Sequence, residues 1–185
     1  MNTTIVTNYS SPKETAAVES LISRFGTSLR IVTPLSIAGG TIWQVPDSDK
    51  TTVEWTKRFL RVFLTESADI LIKIDPYTVI KTLPDMPPKC DVAGDFRKTN
   101  IGWVWFGACQ YYTRNAVERI LSDPLYVGKC VYQDVELAES IKRMGLKAYN
   151  MPDVDGWSAP DSTANVTHKG RHPIYKRPSG FITLA

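Results

Sequence analysis

Three groups of side chains in this sequence are able to do chemistry. Asp75 stands where the apolar run of DILIKIDPYTVI (69–80) meets an Asp-Pro-Tyr-Thr turn. Open α/β sheets bind ligands outside the carboxyl ends of their strands, so a carboxylate placed there points at a site. Its oxygens suit a divalent cation or a ribose hydroxyl. An aspartate before a turn also has a purely local use, bonding its own backbone. The second group is Gln133, Asp134 and Glu136 at a helix start. The helix dipole and capping are sufficient cause for one acid there, and a general base able to reach an acceptor hydroxyl is the functional alternative. The third is His168, Lys169, Arg171 and His172 in THKGRH. The spacing of the histidines fits a metal site on a helix, but Gly170 and Pro173 disfavour a helix. A basic segment of this kind meets phosphates or is simply solvated.

The elements that must carry these groups alternate. TTIVTNY at 3–9 reads as a strand, and Ser11, Pro12 and Glu14 form a capping box for a helix through Ala16, Ala17, Leu21, Ile22 and Phe25, closed by Gly26. LRIVTPL at 29–35 is a second strand, and 39–47 is a glycine turn with a brief extended piece. Thr51 and Glu54 form another capping box, opening a helix whose inner face is Phe59, Leu60, Phe63 and Leu64. The strand ending at Asp75 is apolar on both faces, which places it centrally in the sheet. Residues 81–100, with three prolines, read as a long loop. An aromatic run breaks at Gly107 and Ala108, resumes, and gives way to a helix from about Asn115. A further helix spans 132–144, ended by Gly145, with KAYNM as a short edge strand. Beyond Asp153 the chain reads as loop-like, polar and basic.

The 185 residues fit one domain, 1–185, with a segment 153–185 at its end. No stretch is long and apolar enough to span a bilayer, and MNTTIVTNYS has no signal-peptide pattern, so the expectation is a cytoplasmic protein. Cys90, Cys109 and Cys130 are odd in number and widely spaced, which reads as reduced thiols. Net charge is only +3, modest for a nucleic-acid-binding domain.

The order of these features resembles the GT-A glycosyltransferases. The matching residues are IKIDPYT (72–78), WFGACQYYTRNAVERI (105–120) and YQDVELAESIKRMGLKAY (132–149), and the pattern spans most of the chain from Ile5 to His168. The resemblance implies a Rossmann-like α/β fold with a mostly parallel central sheet flanked by helices. It also implies a nucleotide-sugar donor, such as a UDP-sugar, with a manganese or magnesium ion held between an Asp-x-Asp motif and the diphosphate. By position, Thr7, Asn8 and Tyr9 would lie near the nucleobase or ribose, and Gly107 would line the donor sugar. Asp75 would meet ribose or metal, Asp134 would be the base, and His168 a late metal or phosphate contact. Lys169 and Arg171 would neutralise the leaving diphosphate. Tyr77 stands where the motif expects a second acid, and a phenol with a pKa of about 10 is a poor magnesium ligand. Asp75 then holds the ion with His168, or basic side chains take its place, or activity is lost.

The acceptor implied is a glycan, a protein or a hydroxymethylated DNA base. Trp103, Trp105, Tyr111 and Tyr112 offer stacking surfaces, although at least two of the four are expected in the core. Two other classes stay open: a non-catalytic nucleotide- or carbohydrate-binding module, and a nucleotidyltransferase-like enzyme. TNYSSPKE lacks the glycine-rich phosphate loop that the latter usually needs.

Overall fold

The computed structural model describes residues 2–44, 52–128, 132–151, 154–158, 166–169 and 179–185. The first unit follows the local chemistry. β1 (Thr3–Asn8) leads to a 3-10 turn, Pro12–Glu14, and α1 (Thr15–Phe25). Ser11 Oγ accepts from the Lys13 N–H, while Glu14 Oε2 accepts from the N–H groups of Ser10 and Ser11. The donors orphaned at a helix start are thereby satisfied. β2 (Leu29–Thr33), β3 (Thr41–Gln44) and α2 (Thr52–Thr65) follow; Thr51 of the expected second capping box lies outside the described residues. β4 (Ile70–Ile74) is buried throughout, and β5 (Thr78–Ile80) follows its turn.

Among the described residues the main sheet has eight strands. In chain order the remainder are β6 (Val92–Thr99), β7 (Gly102–Thr113), α3 (Arg114–Ser122), α4 (Gln133–Arg143), β8 (Ala148–Asn150), β9 (Val154–Ser158), β10 (Val166–Lys169) and β11 (Gly180–Ile182). The sheet order is β11-β8-β6-β7-β4-β1-β2-β3. β3, β2, β1 and β4 run parallel, β7 is antiparallel to both β4 and β6, β8 is parallel to β6, and β11 closes the far edge antiparallel. The result is an α/β protein with a mixed, mostly parallel sheet. β5, β10 and β9 form a separate three-stranded sheet.

Helices cover both faces. Leu71 of β4 packs with Phe59, Phe63, Val117, Ile120, Leu137 and Ile141 of α2, α3 and α4, whereas Ile72 and Ile74 pack with Val18 and Leu21 of α1. This is the central, doubly covered position that the apolar run of β4 demands.

Four readings of the sequence are corrected. Residues 92–99, expected in a loop, form β6 beside β7. Gly107 and Ala108 do not break a strand; β7 is continuous and bulges there, since Gly94 faces Gln110 while Phe96 already faces Trp105. KAYNM is not at the edge, because β11 lies outside β8. The segment 153–185 is not loop-like throughout, since it supplies β9, β10 and β11. In each case pairing with distant strands supplies what local propensity lacks.

Candidate functional site

The strand order reverses between β1 and β4. β2 and β3 lie to one side of β1, and the chain then returns to place β4 on the other. The carboxyl ends of β1 and β4 are adjacent, with Thr7 opposite Ile74. Such a switch point opens the crevice where doubly wound sheets take their ligands. Asn8 and Asp75 are the next residues on the two strands.

Asp75 does not use its side chain for the turn. Its backbone carbonyl closes the turn by accepting from the Thr78 N–H at 3.0 Å, and its own N–H donates to the Ala108 carbonyl of β7 at 3.1 Å. The Thr78 hydroxyl donates to the same carbonyl at 2.9 Å. The carboxylate instead accepts from Lys73 Nζ, which also donates to the Gly107 carbonyl at 3.0 Å. The Lys73 side chain is only 8% exposed and that of Asp75 29%. Gly107 is needed here: a Cβ on it would stand 2.9 Å from Asp75 Oδ2 and 3.1 Å from Lys73 Nζ.

The start of α4 sorts its three polar residues. The Gln133 amide donates to the Thr56 hydroxyl on α2. Buried Glu136 accepts from the N–H groups of Val127 and Gly128 at 2.8 and 2.7 Å, holding the preceding loop. Asp134 is not the cap, since Tyr132 occupies that position without a side-chain bond. Its carboxyl is instead pushed up from the ordinary 3.8 to about 6. Burial is the main cause; the Lys73 ammonium pulls the other way and the Asp75 carboxylate adds to the rise. A half-buried acid titrating near neutrality, in the electrostatic field of a lysine and a second carboxylate, is suited to taking a proton from a bound hydroxyl.

On the β1 side, Thr7 Oγ1 and Asn8 Oδ1 are buried oxygens with no hydrogen-bond partner among the described residues. As successive strand residues they present these oxygens to opposite faces of the sheet. Tyr9 differs from expectation: its ring is buried and its hydroxyl bonds Thr15 Oγ1 at 2.7 Å, so it supports the β1–α1 corner. Exposed Tyr77 turns toward α1 and donates to the Lys13 carbonyl at 3.4 Å. It lines a groove of about 370 Å³ together with Lys13, Ser20 and Arg24. The His168 backbone lies opposite Thr78, because β10 runs antiparallel to β5, and that of Lys169 lies opposite Ser158. Arg171 and His172 lie outside the described residues.

Asp75, Gly107 and Asp134 thus gather with Lys73, and the backbone of His168 runs past the turn after Asp75. Lys73 is the residue the sequence reading missed, although a lysine two positions before Asp75 on one strand shares its face. The described residues do not fit a divalent cation at this place. Asp75 is already paired with an ammonium, Tyr77 is turned away, and no three His, Cys, Asp or Glu side chains among the described residues form a metal set. Of the aromatics read as stacking surfaces, Trp105, Tyr111 and Tyr112 are fully buried, and the indole N–H of Trp103 donates to the Ala185 carbonyl. Cys90 and Cys109 are free, buried thiols, and Cys130 lies outside the described residues. A second cavity of about 500 Å³, lined by Ile5, Ile70, Ile72, Leu83, Met86 and Tyr111, lies away from these groups. Among the described residues no helix is long and apolar enough to cross a membrane.

Compared with known proteins, the chain matches no family model and no curated protein.

Proposed function

We propose that this protein is a glycosyltransferase of the GT-A type, moving a sugar from a nucleotide-sugar to an acceptor hydroxyl at the switch point between β1 and β4. The single observation that carries the reading is Asp134. It is a carboxyl raised to about 6 at a helix start, held near the Lys73–Asp75 pair beside the carboxyl ends of two parallel strands. The strand order β3-β2-β1-β4, continued by an antiparallel strand, supports the finer fold assignment.

In this reading Thr7 and Asn8 receive the nucleoside and Asp75 orients the donor. Asp134 takes the proton of the acceptor hydroxyl as its oxygen bonds the anomeric carbon. The bond from that carbon to the diphosphate breaks, and the nucleoside diphosphate departs with the bonding pair. Attack from the face opposite the diphosphate inverts the anomeric centre. Exposed Tyr132, next in the chain to α4, offers a ring face to an acceptor sugar. The burial of Trp105, Tyr111 and Tyr112 removes surfaces that would have stacked a sugar or a flipped base alike, so glycan, protein and hydroxymethylated DNA stand level as acceptors.

A thermal-shift panel of nucleotide-sugars and free nucleoside diphosphates tests the reading, since a ligand of the native state raises the melting temperature by mass action. One donor should shift the melt, and Asp134→Asn should keep that shift while losing transfer. A shift from nucleoside diphosphates without transfer to any acceptor would point instead to a nucleotide-binding module. No shift from any donor would sink the proposal.

A further inference from the structure

We propose that the Lys73 ammonium is the resident cation of this site: it stands where the family resemblance puts a divalent metal ion, and the donor binds without one. The ammonium is more than nine-tenths buried and is held by Asp75 Oδ1 and the Gly107 carbonyl. A carboxylate and a backbone carbonyl are oxygens a hard divalent ion selects. Here they hold a positive charge supplied by the chain.

The surroundings are shaped to this arrangement. Gly107 admits Lys73 Nζ and Asp75 Oδ2 at distances a side chain would close off. Tyr77, which occupies the motif position of a second acid, points to Lys13 and adds no oxygen to the set. A divalent ion entering beside Asp75 would meet the ammonium at close range, and displacing the ammonium would leave a buried charge unpaired. The inference rests on the proposed donor site for its account of the donor, and on geometry alone for its account of the cation.

Manganese titration followed by electron paramagnetic resonance, without nucleotide, tests the cation directly in the full chain. Wild type should leave the free-manganese signal unchanged, and Lys73→Met, which keeps the side-chain length and removes the charge, should bind manganese at least about tenfold more tightly. Manganese binding by wild type that is lost in Asp75→Asn overturns the proposal, as does a folded Lys73→Met that gains no binding. If Lys73→Met does not fold, the comparison of wild type with Asp75→Asn decides alone. A parallel thermal shift compares nucleotide-sugars in EDTA and in manganese. Equal shifts support an internal cation, and a shift seen only with manganese overturns it while leaving the donor site standing. No shift in either buffer would remove the donor-site reading, with the manganese titration still deciding the cation.

Discussion

Asp134 is costly to the fold, and that cost is measurable. With its carboxyl at about 6 against an ordinary 3.8, the folded protein holds a proton that the unfolded chain releases. Stability contributed by the protonated acid is therefore present below about pH 4 and is lost as the pH rises through about 6. Asp134→Asn should raise the unfolding free energy at pH 8 by up to about 3 kcal/mol, at about 1.4 kcal/mol per pH unit. The gain should vanish near pH 4, and transfer should fall by about a hundredfold or more. Urea unfolding at the two pH values reads the first part, and a variant less stable than wild type at pH 8 would mean that Asp134 makes a structural contact instead. Asp75 is the opposite case, because its loss strands a buried ammonium. Given the partial exposure of Asp75, Asp75→Ala should cost about 2 kcal/mol, discounted from the several expected for a fully buried pair. Lys73→Met in the same chain should recover part of that cost, and a double-mutant cycle in urea measures the coupling. Additive losses would show that the two residues do not act as a pair.

Strand β7 joins these side chains, because its bulge turns the Gly107 and Ala108 carbonyls toward β4. Gly107→Ala should push Asp75 and Lys73 apart, costing about 1–3 kcal/mol as overpacking does. It should also weaken donor binding, read by calorimetry; an alanine variant that binds the donor like wild type would detach the bulge from the site. Ser11→Ala, at the start of the turn before α1, should cost about 1 kcal/mol by thermal unfolding and leave donor binding alone. What could be read from the sequence divides along the same line. β1, α1 with Ser11 and Glu14, β4 and α4 are written in local chemistry: a capping box, an apolar run, a helical period. β6 is not, because Gly94, Asp95, Arg97 and Lys98 spoil any alternation. Its charges are settled by the pair between Asp95 and Arg97 at 2.7 Å, and its glycine by the Trp105 indole, which a Cβ would meet at 2.4 Å. Asp75 was legible as a strand-end carboxylate. That Asp134 feels its charge depends on how α4 and β7 pack beside β4, a relation between segments that no local pattern encodes.

The architecture makes its own claim about where a ligand acts. The loops leaving the carboxyl ends of β1 and β4, at residues 9–11 and 75–78, flank the reversal of strand order, where doubly wound sheets take their ligands. A ligand seated there should hold these backbone segments closed and slow their opening, while the sheet edges at β3 and β11, remote from the crevice, should exchange as before. Hydrogen exchange with and without a donor that stabilises the protein should therefore show protection at residues 8–11, 75–78 and the start of α4 together. The three segments are far apart in the chain, so joint protection requires the strand order itself to bring them to one ligand. Protection centred on residues 83–86 would place the ligand in the cavity that this loop lines, and the switch-point assignment would then fall with the roles given to Asp75 and Asp134.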